Sequence, residues 1–581
     1  MAKKRNATKK REKPAAAPAS HGWLSSRAVR ESIESVAVAF ILAFLFRAFE
    51  AEAFVIPTGS MAPTLMGAHK DLWCPECGYH YRAGASSEFP EATQRPHVEP
   101  QPPKLVKTTC CPLCRYTENV GPGTDHPTYG GDRILVSKFI YEFQQPDRWD
   151  VVVFKFPLGA QTNYIKRCVG LPNETIRIRH GDLYVKQQGE DDFAIPRRRP
   201  EELRAMAQIV YDNDYVVDAM TEAGWPLRWQ AWPQQHEPTQ SSFTSDDGGR
   251  SFAVDGTSGK PQWLRYWHYV PSIDDWSAIH RGDVPSGEAK PLLITDYYAY
   301  NSSIVVGQAP AQPQLLGLHW VGDLMLECEL ESTDGKGTAM LDLVEGGRHF
   351  RCELDIASGE ARLSIDGLEG YAPKAQTDAA GLGSHHLVFA NIDQQLLLWI
   401  DGWPVEFDTE TTYEPLGNDI PQSTPEDPLD LAPAGVGSEG AALAVRHLRL
   451  WRDIYYIAAR PGDLRGVFDY GGDKQIPAMS YSQLYHFWST PGLWDPEGRR
   501  SPFAERGEED FPLAAGQYFM MGDNSPASLD ARLWPYQQFV EEELLIGKAL
   551  VIFWPHSFNR IPGTGIPFPF FPNFARMGFI R

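Results

Sequence analysis

The longest apolar run lies near the N-terminus, where residues 36–46 are apolar at eleven successive positions. A run of that length suits a signal-peptide segment or a buried helix better than a full bilayer span. Two features nevertheless favour an anchor: the charged residues within 47–52 can snorkel, and apolar residues resume at 54–56. We predict a transmembrane anchor over 31–54. A cleavable signal is the alternative, because 51–53 has small residues at cleavage-site spacing.

The sequence before this run predicts its orientation. Residues 1–30 begin with a dense cluster of Lys and Arg followed by Pro- and Ala-rich residues, a composition typical of disordered tails. A basic excess before a membrane helix favours a cytoplasmic N-terminus. We therefore predict a single-pass protein of the cell membrane, with the chain beyond the anchor outside the cytoplasm.

Past residue 130, apolar positions occur in short runs bounded by turn residues, which predicts a mainly β fold. Four of these runs are strand candidates, at 131–141, 150–157, 163–175 and 545–554. Within the second run the apolar residues are consecutive, as in strands that are buried on both faces. The pattern therefore predicts β-strands at both ends of this part of the chain.

Between these strands lies a long insertion. Residues 189–290 are rich in Trp, Pro and acidic groups without clear periodicity, and we predict an irregular segment there. From 291 to 455, strand-like runs alternate with turn signals such as Asp-Gly after an apolar run, which predicts a β-sandwich. Its Leu-Trp-Ile-Asp-Gly stretch at 398–402 resembles concanavalin-type and laminin-G-like jelly rolls. Residues 456–509 form a connecting segment.

Length and charge narrow the classes of function. The chain has 581 residues, which is long enough for several domains, and its formal net charge is -21. So acidic a chain is a poor match for a nucleic-acid-binding protein. We expect no nucleic-acid partner.

Two Cys-x2-Cys pairs predict a metal site. They are Cys74/Cys77 and Cys111/Cys114, and Cys110 is a spare thiol. Four thiolates in this arrangement suit a closed, tetrahedral structural zinc site and leave no position for a catalytic water. We predict a zinc-ribbon-like insert over 70–118. A pair of disulfides is the alternative, which a location outside the cytoplasm would permit.

Ser60 is the candidate nucleophile. It lies in a Pro/Gly-rich stretch, Pro57-Thr-Gly-Ser-Met-Ala-Pro-Thr-Leu65, directly after the predicted anchor. The prolines fix φ and keep the segment out of helix, so that a stiff loop presents the hydroxyl. A serine hydroxyl needs a base to become a nucleophile. By itself the stretch also fits an ordinary loop serine.

Lys166 is the candidate base. It precedes Arg167 in a predicted strand, so alternation places one side chain towards the core and the other outwards. A lysine that faces the core loses hydration, which lowers its pKa and yields the neutral amine that a base requires. Two solvated basic residues on an exposed strand are the alternative that the pattern leaves open.

Four blocks, in order and behind the predicted anchor, resemble the bacterial type I signal peptidases, which are membrane-bound Ser-Lys endopeptidases. They lie at 57–65, 131–133, 164–172 and 521–532. The resemblance implies an antiparallel β catalytic core, split here over 55–188 and 510–581. It implies cleavage of signal peptides from secreted preproteins after small residues of Ala-x-Ala type. The implied partners are preprotein signal peptides, the lipid bilayer and the secretion translocon.

The resemblance assigns roles residue by residue. Ser60 matches the nucleophile and Lys166 the general base, and no cofactor takes part in the chemistry. Thr58 stands where a hydroxyl helps the Ser60 N–H to form the oxyanion hole. Ser528 matches the serine that orients the lysine amine. The other matches are the acid of the Gly-Asp-Asn turn and a supporting ion pair: Asp523, Asp530 and Arg532.

Two other classes of function compete with this one. A self-cleaving Ser-Lys protease of the repressor type shares the dyad, but such proteins carry a DNA-binding domain and no anchor. A membrane-anchored binding protein that uses the jelly-roll-like insert on an inactive peptidase scaffold is the non-enzymatic alternative. For this class, no cluster in the insert is specific enough to assign a sugar or calcium ligand.

Overall fold

The computed structural model describes residues 26–49, 51–89, 103–232, 242–285, 288–309, 315–417, 419–459, 461, 468–470, 475–497, 500–561 and 566–581. The chain divides into two compact units, Met1–Glu52 and Ala53–Arg581. The predicted disordered tail over 1–30 lies almost wholly outside the described residues. Its last residues, from Ser26 onwards, begin a helix.

The first unit contains the helix Ser26–Phe49. Val36, Val38 and Phe40 are exposed on it. Among the residues that the structure describes, none of the helices has the length and apolar character needed to cross a membrane. The prediction of a transmembrane anchor over 31–54 is therefore not confirmed. The physical reason is the short apolar run, which is flanked within the same helix by Arg30, Glu34 and other charged residues.

The predicted mainly β fold is confirmed. The first of its large sheets contains strands from the blocks that resemble the signal peptidases. The strands of this sheet, in spatial order, are Ala51–Val55, Arg133–Ser137, Leu545–Trp554, Val151–Lys155, Asn163–Gly170, Gln517–Met521 and Val540–Glu541, and Gly578–Phe579 also pairs with Leu545–Trp554. Neighbouring pairs in it are antiparallel. Residues 151–154 are buried on both faces, which explains their uninterrupted apolar run. A smaller sheet of Asp182–Gln187, Glu174–Arg179 and Glu508–Pro512 extends this unit.

The inserted region forms two large sheets that enclose an apolar core. One contains Gln208–Asp212, Ala442–Arg452, Leu324–Ser332, Gly383–Ile392, Gln395–Ile400 and Trp403–Pro404, with Phe252–Asp255 beside Ala442–Arg452. The other contains Trp229–Trp232, Gln262–Tyr266, Ala434–Glu439, Thr338–Glu345, Arg348–Asp355, Glu360–Ile365 and Lys374–Gln376. Alternation places one face of each strand inside, as with Phe350, Cys352 and Leu354.

The segment predicted to be irregular, 189–290, differs from the prediction. It supplies four strands to these two sheets, and it contains the helices Pro200–Met206, Asp218–Glu222 and Ile273–His280. Its strands have only four or five residues each, which is too short for a visible alternation. The described part of the segment 456–509 contains the helices Gln475–Ala478 and Tyr481–Trp488 and the 3-10 turns Pro491–Leu493 and Phe503–Glu505, joined by loops.

Two small sheets hold the cysteine pairs. The first contains His80–Gly84, His69–Trp73 and Thr128–Tyr129, and the second contains Ile304–Val305, Val106–Cys110 and Thr117–Asn119. Each Cys-x2-Cys pair lies in the turn between two antiparallel strands. We call residues 69–119 the ribbon insert. A further hairpin, Phe558–Arg560 with Pro567–Phe571, lies near the C-terminus.

Candidate active site

Ser60 lies in a short 3-10 turn, Gly59–Met61, within the loop 57–65, which we call the nucleophile loop. The amide of Ala62 donates to Gly59 O at 3.1 Å and closes the turn. Ser60 itself is buried. The loop therefore holds the hydroxyl in a fixed position inside the protein, as a nucleophile requires.

Lys166 contacts this hydroxyl directly. Its Nζ donates to Ser60 Oγ at 2.6 Å and to the carbonyl oxygen of Ile165 at 3.1 Å. Lys166 is only 3% exposed, and Arg167 is fully buried. The expectation that one of these two side chains faces outwards is therefore wrong. Both side chains are covered, because Lys166 contacts Ser60 of the nucleophile loop and Arg167 pairs with Asp523 of the 521–532 segment.

The electrostatic environment of Lys166 favours the neutral amine. Burial lowers the pKa of Lys166 to about 8, although the carboxylates of Asp530 and Asp523 act in the opposite direction. Arg532 contributes to the lowering. A pKa in this range lets a substantial fraction of the amines accept a proton near neutral pH.

The last block supplies two buried ion pairs. Asp530 accepts from Nε and Nη2 of Arg532, both at 2.8 Å, and from the amide of Gly522 at 3.0 Å. Asp523 accepts from Nε and Nη2 of Arg167, both at 2.7 Å. Each guanidinium is thus held by two parallel hydrogen bonds, the geometry that best offsets the cost of burying the charges. These pairs fix the segment that packs against the nucleophile loop.

Ser528 and Thr58 are near the dyad without completing it. Within the described residues, Ser528 Oγ is buried and makes no hydrogen bond, including none to Lys166 Nζ. It lies close to the dyad, because a Cβ on Gly522 would be 2.2 Å from Ser528 Oγ and 2.4 Å from Ser60 O. Thr58 is half-buried, and its side chain does not cap the turn that holds Ser60. Their assigned roles therefore rest on the resemblance.

Two site residues have no assigned role in the sequence analysis. Asn524 donates from its backbone amide to Ser60 O at 3.1 Å and from Nδ2 to Gly59 O at 3.0 Å. Asn301 pairs with the amide of Asn524. Asn524 belongs to the Gly-Asp-Asn run, which was a usable signal. Asn301 lies within the long insertion, where no motif marks it.

The four cysteines of the ribbon insert converge. Their Sγ atoms all lie within 4.8 Å of one another, with Cys74 and Cys114 3.5 Å apart and Cys77 and Cys111 3.6 Å apart. Tetrahedral zinc with Zn–S bonds of about 2.3 Å separates its sulfurs by roughly 3.8 Å. The donor set therefore fits zinc. All eight cysteines of the chain are described, and none forms a disulfide.

Two other clusters of metal-ligating residues are not predicted from the sequence, because each includes positions that are far apart along the chain. One joins His69, Asp71 and His556. Burial and the neighbouring His556 lower the pKa of His69 to about 3. The other cluster joins the carboxylates of Asp182, Asp323 and Asp393.

Comparison with a family model gives a match that includes three of the four blocks, 131–133, 164–172 and 521–532, and not the block 57–65. The family model "Signal peptidase, peptidase S26" matches residues 118–248 and 494–554, less than half of the chain. Signal peptidase I of Pseudomonas aeruginosa is 44% identical over 68 residues, which cover 10% of this chain and 24% of that one. Signal peptidase I V of Bacillus subtilis is 43% identical over 61 residues, covering 10% and 35%. The chain thus spans a quarter to a third of the length of these relatives.

Comparison with solved structures gives matches of low sequence identity and low TM-score. The carbohydrate binding module CBM66 from Bacillus subtilis is 9% identical with a TM-score of 0.21, and the match covers 38% of this chain and 94% of the module. The Caenorhabditis elegans galectin LEC-6 is 10% identical with a TM-score of 0.16, covering 22% and 83%. The family match and the curated relatives support a peptidase similar to signal peptidase I over these short segments.

Proposed function

We propose that the protein is a signal peptidase I, a serine endopeptidase that removes signal peptides from secreted preproteins after small residues through a Ser60–Lys166 dyad. One observation carries the proposal: Lys166 Nζ donates to Ser60 Oγ at 2.6 Å in a buried site. The lowered pKa of Lys166, about 8, supports its role as the base.

In the proposed mechanism, neutral Lys166 takes the proton of Ser60 Oγ as the oxygen attacks the scissile carbonyl. The Ser60 N–H and the Thr58 hydroxyl stabilise the resulting oxyanion. The ammonium of Lys166 then protonates the leaving amine, the peptide C–N bond breaks, and an ester forms on Ser60. Water attacks this ester while Lys166 accepts its proton; the ester C–O bond then breaks, Lys166 returns the proton to Ser60 Oγ, and the new carboxyl terminus is released.

The test is the cleavage of a secretory preprotein with an Ala-x-Ala site by the purified full chain. We expect the mature fragment from the wild-type protein and none from Ser60→Ala. Ser501→Ala is the matched control, since Ser501 is also buried but bonds to Trp494 O. Equal cleavage by Ser60→Ala would contradict the proposal. Failure of the folded wild-type protein to cleave would instead favour the binding-protein alternative.

We also propose zinc as a structural ligand of Cys74, Cys77, Cys111 and Cys114. The convergence of their Sγ atoms supports it. When bound, zinc would hold the two hairpin turns of the ribbon insert together and would leave no coordination position for water. The chemistry at Ser60 does not involve it.

A lipid surface is a proposed partner of the second unit. Several aromatic side chains of the C-terminal segment are exposed, including Phe568, Phe570, Phe574 and Phe579. Exposed apolar groups of this kind favour an interfacial location. Flotation with anionic vesicles tests this: we expect the wild-type chain to float and Phe570→Ser/Phe579→Ser to float less. Equal flotation would contradict it. The cell-membrane location rests on the sequence pattern of residues 1–54 and on the family resemblance, and a translocon partner rests on the resemblance alone.

A further inference from the structure

A segment of the long insertion runs between the ribbon insert and the nucleophile loop. We call residues 297–305 the strap. On one side, Tyr297 donates from its hydroxyl to Cys110 O at 3.0 Å, and Ser302 Oγ accepts from the amide of Cys110 at 3.0 Å. Ile304 pairs with Thr108 in the small sheet of the ribbon insert. The strap is therefore attached to the strand that leads into the second cysteine pair.

On its other side, the strap contacts the nucleophile loop through Tyr300. The ring is buried, and a Cβ built on Gly59 would lie 2.0 Å from its Cε1 atom. No side chain fits between them, so the glycine before Ser60 is required by close approach. The Tyr300 hydroxyl lies 3.4 Å from Ala68 O, to which it donates. The ring thus restricts the movement of the backbone at Gly59.

Asn301 completes this contact through a reciprocal amide pair. Asn301 Nδ2 donates to Asn524 Oδ1 at 2.7 Å, and Asn524 Nδ2 donates back to Asn301 Oδ1 at 2.8 Å. Asn524 Nδ2 also donates to Gly59 O at 3.0 Å. Gly59 presents its carbonyl oxygen to the side chain of Asn524, so the donor Nδ2 of Asn524 has to face Gly59. The Oδ1 of Asn524 therefore points away from Gly59. Asn301 supplies the donor that meets it there and so fixes the orientation of the Asn524 amide.

The orientation of Asn524 has a consequence for Ser60. The Gly59 carbonyl and the Ser60 N–H belong to one peptide group, which is planar and trans. Holding Gly59 O therefore sets the direction of the Ser60 N–H. In the proposed mechanism this N–H stabilises the oxyanion, and its position determines how much stabilisation it gives.

We propose that Asn301 and Tyr300 are positioning residues for catalysis: through Asn524 and Gly59 they hold the Ser60 N–H in the direction that an oxyanion requires. The role of the N–H rests on the proposed function, whereas the restraint of the loop does not. The long insertion is therefore part of the catalytic unit. A purely structural role for the strap would change stability without changing the turnover of folded molecules.

The test uses Asn301→Ala and Asn301→Asp in the full chain, because an aspartate side chain has no N–H to offer Asn524. Asn213→Ala is the matched control: Asn213 is a buried asparagine of the same insertion that donates to Gly249 O and Arg250 O. Tyr300→Ala and Tyr300→Phe separate the ring from the hydroxyl. We measure hydrogen–deuterium exchange of peptide 54–66 and the steady-state kinetics of preprotein cleavage.

We expect both Asn301 variants to increase exchange of peptide 54–66 several-fold and to lower kcat about tenfold, because the loss of a whole oxyanion donor costs about 10²–10³. KM should stay unchanged in both variants and the pH midpoint should stay unchanged in Asn301→Ala, since Lys166 is untouched there; the added carboxylate of Asn301→Asp acts on the pKa of Lys166 in the same direction as Asp523 and Asp530. Tyr300→Phe should behave like the wild type and Tyr300→Ala like Asn301→Ala. Unchanged exchange in the Asn301 variants overturns the proposal, as does a kcat loss no larger than that of Asn213→Ala.

The two readouts separate this proposal from the proposed function. Exchange of peptide 54–66 does not need a substrate. If the wild-type protein fails to cleave, the proposed function fails. An increase in exchange in Asn301→Ala alone then still supports the restraint of the loop, and its absence still refutes it.

Discussion

The sheet that carries Ser60 and the inserted β-sandwich bury charge in different ways. Around the dyad, Arg167 and Arg532 are fully buried, and each pairs in bidentate fashion with an aspartate. The sandwich encloses an apolar core, and its buried Asp342 lies on the opposite face of the strand from the core residues Leu341 and Leu343. The first region thus buries its ion pairs beside the dyad, whereas the second keeps its buried Asp342–Arg265 pair off the face that forms the apolar core.

This difference explains which part of the chain the sequence describes best. Buried polar groups must be paired, so their identity and position are constrained individually. A sandwich core tolerates many apolar residues in the same pattern. The catalytic blocks are therefore recognisable over a few residues each, whereas the insertion is recognisable only as a class of fold.

Removing one partner of a buried ion pair should have the largest effect on the free energy of unfolding. Its effect on kcat should distinguish the two regions. Asp523→Ala leaves Arg167 buried without its carboxylate, and Asp342→Ala does the same to Arg265 in the sandwich. We expect each to lower the free energy of unfolding by about 3–5 kcal/mol. Only Asp523→Ala should also lower kcat per folded molecule, measured under conditions where both variants are folded. Equal kcat values would remove the distinction.

We expect the catalytic lysine, Lys166, to lower the stability of the folded protein. Its pKa of about 8 lies below the ordinary 10.5, so the folded state binds fewer protons than the unfolded state between these values. Stability therefore rises with pH across this window, and below pH 8 the charged lysine is destabilising by roughly 3 kcal/mol. We expect Lys166→Met to raise the unfolding temperature at pH 7 and to gain less at pH 10. A lower unfolding temperature at pH 7 would contradict the account.

Activity should follow the same group. We expect kcat/KM to rise with pH and to level off above about pH 8, because only the neutral amine of Lys166 accepts the proton of Ser60. A profile that falls through this range would indicate a group that must be protonated and would contradict Lys166 as the base. The variant Lys70→Met, whose lysine is also buried, should keep the wild-type midpoint.

Some elements of the fold can be predicted from the sequence and others cannot, for physical reasons. Alternation locates the longer strands of the sandwich, such as Gly383–Ile392, but it misses the short strands at Gln208–Asp212 and Trp229–Trp232. The pattern over 31–54 favours a membrane span that the structure does not support. In each case the run of residues is too short for its periodicity or its length to predict the structure.

The residues of the site also differ in whether the sequence predicts them. Ser60 and Lys166 stand in recognisable blocks, and the structure brings them together. Asn301 has no local signal, because its importance comes only from its contact with Asn524, more than two hundred positions away. The burial of both Lys166 and Arg167 also depends on distant segments, which a two-residue alternation does not include.

The ribbon insert should give the smallest effect on the chemistry. We expect Cys74→Ser to lose zinc and thermal stability while the folded protein retains most of its kcat. The measurement is metal content of protein purified without chelator, together with the unfolding temperature. Cys328→Ser is the control, since Cys328 is buried within the sandwich and away from the four clustered thiols. Absence of zinc from the wild-type protein would contradict the metal site.

The most direct test of the Ser60–Lys166 dyad is cleavage of a secretory preprotein by the wild-type chain, Lys166→Met and Lys70→Met. Lys166 and Lys70 are both buried, but Lys70 Nζ donates to His126 O and Thr128 Oγ1 and not to Ser60. We expect the wild-type chain and Lys70→Met to release the mature protein at the Ala-x-Ala site. Lys166→Met should not release it, because it has no base for Ser60. Cleavage by folded Lys166→Met at the wild-type rate would contradict the dyad.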